Sequence, residues 1–156
     1  MNSSSGDPDL DKESSWRTLS EFTLPGEPGN DRLAVEKVVD VVQTLPLSEE
    51  RLERLKTAVA EATLNALEHG SRYQHEMPVA IRVRASDRAV SIAITNFGSR
   101  NIVPSVEAPD LAAKIRGQQS PRGWGFFLIE HMVDEYQISN QPAAHTLELF
   151  LYFEGD

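Results

Sequence analysis

The sequence predicts an α/β fold, a two-layer sandwich in which helices cover one face of a mainly antiparallel β-sheet. Two observations lead to this prediction. Strand-like and helical periodicities follow one another in the order β-α-α-β-β-loop-α-β-β, and one pair of adjacent strand segments has a link short enough for a hairpin. A chain of 156 residues is one domain's worth and can bury a core. We place that domain at residues 16–156 and expect a disordered tail over residues 1–15, which are polar and show no periodicity.

The first strand and the first helix are predicted between residues 16 and 45. Residues 16–24 form a weak strand candidate, which the Pro-Gly pair at 25–26 ends. Beyond it, apolar residues recur at steps of three and four with polar residues opposite, which predicts an amphipathic helix that stops before Pro46. The apolar positions of that helix are Val35, Val38, Val42 and Leu45.

A second helix has the clearest start signals in the chain. Ser48 is a suitable N-cap, and the two glutamates that follow it suit the positive end of the helix dipole. Leu47 can pack against Leu52 as a hydrophobic staple. Leucine, valine and alanine continue the pattern, and we expect the helix to end with Gly70 as the residue after its last turn.

Two alternating segments and a long loop follow. The segments at 79–83 and 90–94 are joined by the polar stretch 86–88, which predicts a hairpin. Residues 97–122 predict an irregular loop with some helical character near its LAAKI stretch. Loops of this length inside a compact domain are usually lids or binding loops.

One more helix and two strands close the chain. The helix is expected to begin at Gly123 or Gly125 and to run to about Asp134. Strand segments follow at 135–140 and 145–153, the second with strictly alternating apolar residues.

Composition excludes several classes of protein. The chain has no cysteine, which excludes disulfide scaffolds, thiolate metal sites and cysteine nucleophiles. A formal net charge of −9 argues against nucleic-acid binding; it is compatible with a protein partner that carries basic surface, and equally with an ordinary acidic soluble protein. No apolar run approaches the roughly 20 residues that cross a bilayer. The N-terminus has no signal-peptide pattern, so we expect a cytoplasmic protein without membrane contact.

Three polar residues on the second helix are the first candidates for a functional site. Glu61, Asn65 and His69 are spaced four residues apart, so in an α-helix they form one line. Apolar and small residues lie on both sides of that line, which is typical of a helix face that borders a ligand or a water-filled cleft. The alternative is an ordinary solvated helix face, and His69 alone would more commonly be a cap or core residue.

Two glycine-containing segments are the other candidates. Gly123 and Gly125 open a helix and let backbone N–H groups approach an anion, and Arg122 before them suits a phosphate. Asn96 and Gly98 follow a strand, where the amide can form hydrogen bonds and the glycine permits close backbone approach. Taken alone, each segment is more typical of an ordinary loop or turn.

Together and in this order, the motifs resemble one superfamily. The series E-A-x-x-N-A-x-x-H-G, a strand ending in N-x-G, a lid, and R-G-x-G-x-x-L-I-x-x-x-V-D-E is similar to the GHKL ATPases, which include gyrase and the sensor histidine kinases. Within that superfamily the chain resembles the bacterial anti-sigma-factor serine/threonine kinases. The resemblance spans about residues 16–153 and implies the Bergerat-type ATP-binding form of the α/β sandwich.

The resemblance implies a role for each candidate residue. Glu61 would be the catalytic general base on a Ser or Thr hydroxyl of a partner protein, and Asn65 would ligate the Mg²⁺ of ATP-Mg. The loop at 97–122 would close over the triphosphate as an ATP lid. The residues that would bind the cofactor are Asn65, Asn96, Gly98, Arg122, Gly123 and Gly125.

In the family, the strand that precedes the lid usually ends in Asp-x-Gly-x-Gly, a motif called the first glycine box. Residues 96–100 of this chain depart from that pattern. Asn96 stands in place of the aspartate and Arg100 in place of the second glycine. An amide accepts a hydrogen bond without the help of charge, and arginine cannot cheaply adopt a glycine-only backbone conformation. We therefore expect weakened or altered nucleotide binding.

The resemblance leaves three functions open. The first is an active kinase that phosphorylates a small STAS-like antagonist protein and otherwise sequesters a sigma factor. The second is a docking module with little or no catalysis, which switches partners by binding alone. The third is an ATPase module of a multi-component signalling kinase. The family often dimerises, so a homodimer is also an expectation.

Overall fold

The computed structural model describes residues 15–71, 76–97 and 123–154, in which the chain forms five strands and three α-helices. The predicted order of these elements is confirmed. Nearly all of the predicted tail and of the predicted lid lies outside the described residues. The elements in chain order are β1 (Arg17–Leu24), α1 (Asn30–Val42), α2 (Glu49–Asn65), one π-helical turn (Ala66–Ser71), β2 (Val79–Ala85), β3 (Ala89–Asn96), α3 (Gly123–Met132), β4 (Glu135–Asn140) and β5 (His145–Tyr152).

The five strands form a single antiparallel sheet in the order β1-β2-β3-β5-β4. Strand β5 therefore lies between β3 and β4, although β4 precedes it in the chain. Alternate residues of the central strands face the helices and form one core with them. This arrangement confirms the predicted α/β sandwich. The inward-facing core residues of the sheet are Val79, Ile81, Val83, Val90, Ile92, Ile94, Leu147, Leu149 and Leu151.

The opposite face of the sheet carries a charged and aromatic surface. Glu148 accepts from Arg84 at 2.6 Å and from the hydroxyl of Ser91. Trp16 packs edge-on against Phe150 with ring centroids 5.9 Å apart. A cavity of about 490 Å³ on this face is lined by residues of β1, β2, β3 and β5, none of them a predicted site residue. This cavity is therefore separate from the predicted site residues that the structure describes.

Helix α2 begins as its sequence predicts. The side chain of Ser48 accepts a hydrogen bond from the backbone N–H of Arg51 at 3.1 Å, which satisfies one of the free donors at the helix start. Leu47 and Leu52 are both partly buried against the core, as a hydrophobic staple requires. None of the helices in the described ranges has the length and apolar character needed to span a bilayer.

Three predicted helix ends are wrong by a few residues. Helix α1 ends at Val42, and Leu45 donates its N–H to the Val42 carbonyl at 3.0 Å in a turn, because the residue before a proline disfavours helical backbone. Gly70 does not follow the second helix, since it lies inside the π-helical turn that extends it. Helix α3 ends at Met132, because the N–H of Asp134 already bonds to the Phe150 carbonyl on β5.

Two arginines of α2 tie that helix to the end of α3 and to β5. Arg51 donates from one nitrogen to Asp134 at 3.0 Å and to the Tyr152 carbonyl at 3.1 Å, and the same carboxylate accepts the Tyr152 N–H at 2.7 Å. One turn further along, Arg54 donates to the Met132 carbonyl at 3.2 Å. Arg51 is only 9% exposed, and its contacts with Asp134 and Tyr152 are partly buried. We call this set the arginine clamp.

Candidate functional site

Glu61 and Asn65 lie in the C-terminal half of α2, which packs against both α1 and α3. Glu61 is partly buried and Asn65 is 4% exposed. Because they are four residues apart in regular α-helix, their side chains lie on one line of the helix surface. The structure therefore brings these two predicted residues together, in a position that is not a solvated face.

The carboxylate of Glu61 has an acidic surrounding. Burial raises the pKa of Glu61 above its ordinary value, and the charges of Asp31 and Glu68 raise it further. Asp31 stands in the first turn of α1, and Glu68 in the π-helical turn. A carboxylate in this environment accepts a proton more readily than an ordinary glutamate does.

The amide of Asn65 has a nitrogen without a partner. Its Nδ2 forms no hydrogen bond with any part of the chain that the structure describes, although the side chain is buried. Buried polar groups in proteins are nearly always paired, so this nitrogen is available for a hydrogen bond to a ligand or a water molecule. The π-helical turn begins at the next residue, and such turns are rare and often found at functional sites.

His69, the third residue of the predicted line, lies within that π-helical turn. Hydrogen bonds in a π-helix join residues five apart, so the four-residue spacing that predicted the line does not continue beyond Asn65. The side chain of His69 lies outside the described part of the structure.

Asn96 is the last residue of β3 and is 0% exposed. Neither its Oδ1 nor its Nδ2 has a hydrogen-bond partner in the described ranges. It continues the row of Ile92 and Ile94, which faces the helices, and β3 contacts the π-helical turn. The structure therefore places Asn96 in the same region as the end of α2.

Helix α3 is described from Gly123 onward and packs against α2. Because residues 121 and 122 lie outside the described part of the chain, the start of the helix at Gly123 or Gly125 and the anion-binding role of the two glycines remain predictions. Gly98, Arg100 and Arg122 lie outside the described residues, so the predictions for them remain predictions.

One further polar residue at the site was missed by sequence reasoning. His145 is 4% exposed and stands directly opposite Asn96 across the β3–β5 ladder. Alternation along β5 predicts that His145 faces the helices with Leu147, but only the register of the sheet reveals its neighbour.

These groups define the chemistry of the region. A carboxylate with a raised pKa and two buried amides with unpaired atoms together suit a polar ligand beside a proton acceptor. Residues 15–71, 76–97 and 123–154 contain no cluster of three or more His, Asp or Glu able to hold a metal ion. Any metal bound to these residues would take few protein ligands.

Comparisons with known proteins agree with this reading. A family model described as the histidine kinase-like ATPase domain matches residues 24–150. The anti-sigma F factor of Pasteuria penetrans is 30% identical over 132 residues, which is 84% of this chain and 86% of that protein. The anti-sigma F factor of Bacillus subtilis (strain 168) is 28% identical over 117 residues, 75% of this chain and 80% of that protein.

A solved structure supports the same fold. The crystal structure of the RsbU and RsbW domains of Rv1364c from Mycobacterium tuberculosis aligns with a TM-score of 0.60 at 16% identity. The alignment covers 85% of this chain and 31% of that chain, so this chain spans about a third of the longer protein. The matched family model and the curated relatives confirm the resemblance that the motifs predict: the chain belongs to the histidine kinase-like ATPase family of the GHKL superfamily and, within it, to the anti-sigma-factor kinase group.

Proposed function

We propose that the chain is an ATP-Mg-dependent protein serine/threonine kinase that phosphorylates a small STAS-like antagonist protein and otherwise sequesters a sigma factor in the cytoplasm. The relatives named as anti-sigma F factors support the partner-switching part of this proposal. The observation that carries the catalytic part is the pairing of Glu61, whose pKa is raised, with the buried amide of Asn65 one turn later.

The residues present are compatible with a magnesium nucleotide. Mg²⁺ prefers oxygen ligands and keeps several waters, so the amide oxygen of Asn65 is a sufficient protein ligand. The unpaired amide atoms of Asn65 and Asn96 are buried, and a bound nucleotide would supply their missing partners. When bound, ATP-Mg supplies the phosphoryl group and neutralises the charge on its oxygens.

The chain's own residues would then position the reactants and move one proton. Glu61 accepts the proton of the incoming Ser or Thr hydroxyl, and its raised pKa makes it a stronger base than an ordinary carboxylate. Backbone N–H groups at Gly123 and Gly125 donate to phosphate oxygens, and Arg122 adds a positive charge. Gly98 and the rest of the predicted lid cover the nucleotide and exclude water.

Partner binding is the second half of the proposal. The net charge of −9 favours partners that present basic surface, which suits a protein that docks two different proteins in turn. A homodimer of this chain would present two docking surfaces, one on each protomer. The antagonist competes with the sigma factor, and its phosphorylation returns the chain to the sigma factor.

The direct test is phosphoryl transfer to a candidate antagonist in the presence of Mg-ATP. We expect Glu61→Gln to lower the transfer rate at least a hundredfold, the usual contribution of a general base, while ATP affinity changes by less than about threefold. Glu53→Gln is the matched control, since Glu53 is on the same helix and exposed, and its pair with Lys56 is a surface contact. With both variants, the phosphate transferred to the antagonist should be stable in acid, because a phosphorylated hydroxyl is acid-stable and a phosphorylated histidine is not.

Two results would contradict the proposal in different ways. Undiminished transfer by Glu61→Gln would show that another group is the base. Stable antagonist binding without any transfer by the unmodified protein would favour the docking module, for which the supporting observation is Asn96, a neutral residue where the family usually has an aspartate.

A further inference from the structure

Four residues of neighbouring strands form a row at the end of the sheet where β3 finishes. Val79, Asn96, His145 and Asn140 are successive cross-strand partners in β2, β3, β5 and β4. Directly opposed residues in an antiparallel ladder have their Cβ atoms about 5 Å apart and point to the same face. The side chains of Asn96 and His145 are therefore immediate neighbours on the face that packs against the helices.

Both neighbours are buried with unpaired polar atoms. Asn96 is 0% exposed and His145 is 4% exposed. In the part of the chain that the structure describes, three of their side-chain atoms lack a hydrogen-bond partner: Oδ1 and Nδ2 of Asn96, and Nε2 of His145. Folded proteins leave few such atoms, so three in adjacent side chains indicate a ligand with a polar edge of its own.

The fourth member of the row orients the imidazole. Nδ1 of His145 lies 2.8 Å from Oδ1 of Asn140. Because the amide oxygen accepts, Nδ1 carries the proton, and Nε2 of the neutral ring presents a lone pair. The pair of Asn96 and His145 thus offers two acceptors and one amide donor, without formal charge on either side chain.

We propose that His145 and Asn96 together recognise the base of the nucleotide, and that this pair accepts purines with a 6-oxo group as well as those with a 6-amino group. The inference rests on the proposed nucleotide binding and deepens it to base specificity. A 6-amino purine donates to Oδ1 of Asn96 or to Nε2 of His145, while Nδ2 of Asn96 donates to a ring nitrogen.

A 6-oxo purine is satisfied by the same atoms used differently. Nδ2 of Asn96 donates to the 6-oxo oxygen, and the protonated ring nitrogen beside it donates to Oδ1 or to Nε2 of His145. A carboxylate at this position could accept from the protonated ring nitrogen but could not donate, so it would leave the 6-oxo oxygen without a hydrogen-bond donor. The neutral amide removes that discrimination, because a site rejects a ligand most strongly when buried polar groups are left unpaired.

Calorimetric titration of the full chain with Mg-ATP and with Mg-GTP tests the proposal. We expect the two Kd values to lie within about tenfold of each other. His145→Ala should raise the Kd of both nucleotides by about fivefold to tenfold, which is the usual effect of losing one hydrogen bond. His145→Gln should recover most of the lost affinity, because its side chain offers a polar atom at a similar distance from the backbone. Asn96→Asp should keep the affinity for ATP and raise the Kd of GTP at least tenfold.

The control variant is Thr146→Ala. Thr146 is the next residue of β5, faces the other side of the sheet and pairs with the hydroxyl of Thr95 at 2.6 Å, so its change should leave both Kd values as they are. His145→Gln and Asn96→Asp keep the test decisive where His145→Ala does not fold.

Three results would overturn the inference. Unchanged ATP and GTP affinities in folded His145→Ala would remove His145 from the base site and leave the proposed kinase intact. ATP binding that is more than a hundredfold tighter than GTP binding in the unmodified chain would refute the shared recognition of both purines. Failure of both nucleotides to bind would refute the proposed function itself.

Discussion

Replacing Asn96 with leucine should stabilise the nucleotide-free protein. The residue is 0% exposed, and both polar atoms of its amide lack partners in the described chain. Each unpaired buried polar atom costs about 1 to 3 kcal/mol. If the lower value holds for both atoms, Asn96→Leu should raise the free energy of unfolding by about 2 kcal/mol, which corresponds to about 6 °C in Tm for a chain of this size. Leucine has the same branched shape, and it suits a strand better than asparagine does.

The same change should abolish stabilisation by ligand. On the proposed function, ATP-Mg at a hundred times its Kd raises the stability of the unmodified protein by about 2.7 kcal/mol. Asn96→Leu removes the base-recognising amide, so its Tm should not respond to ATP. Thermal unfolding of both proteins, followed by circular dichroism with and without Mg-ATP, measures both effects.

A buried polar residue on the same strand is the matched control. Ser91 is 0% exposed like Asn96, but its hydroxyl donates to Glu148. Ser91→Ala should therefore destabilise the protein by about 1 kcal/mol, which is the opposite sign. Asn96→Val, which is smaller than leucine, controls for overpacking. If Asn96→Leu and Asn96→Val both have a lower Tm than the nucleotide-free parent, the amide of Asn96 has hydrogen-bond partners in solution, which contradicts the expected gain.

Two further changes test other parts of the structure. Glu61→Gln should raise Tm at pH 7, because burial and the neighbouring acids raise the pKa of Glu61 and make its charged form unfavourable in the folded state. This gain in Tm should vanish as the pH falls below 4.5, the ordinary pKa of a glutamate, because Glu61 is then protonated in both the folded and the unfolded protein. A gain in Tm that is the same at pH 7 and pH 4 would contradict this cause. Arg51→Ala should lower stability by about 2 kcal/mol, since it removes the hydrogen bonds to the Tyr152 carbonyl and to the partly buried carboxylate of Asp134, which keeps only the N–H of Tyr152. Chemical denaturation measures this loss of stability. The control is Lys56→Ala, which breaks an exposed ion pair on the same helix and should lower stability by less than about 0.5 kcal/mol. Equal losses in the two variants would show that the arginine clamp is only a surface contact.

Local signals in the sequence predict most of the elements and the first two site residues. Ser48 marks the start of α2 because its capping bond reaches only three residues along the chain. Glu61 and Asn65 share a helix face by spacing alone. The hairpin between β2 and β3 is equally local, since the hydroxyl of Ser86 accepts from the backbone of Arg88 and Ala89.

Contacts between distant residues could not be predicted in the same way. The position of β5 between β3 and β4 is a property of the whole sheet, so the sequence does not reveal that His145 stands opposite Asn96. Arg51 has the sequence pattern of an exposed first-turn residue, yet its partners Asp134 and Tyr152 lie more than 80 positions away. The π-helical turn after Asn65 is likewise invisible in a pattern that continues with helical spacing.

The arginine clamp has a consequence for how a ligand would enter. Because Arg51 and Arg54 hold the start of α2 against the end of α3 and against β5, and α2 packs against α3, the two helices that carry Asn65 and Gly123 are joined before any nucleotide arrives. Binding would then spend little free energy on bringing the two together, which is the advantage of preorganisation. We therefore expect the observed association rate to increase linearly with nucleotide concentration, without the plateau that a slow rearrangement of these two helices would impose.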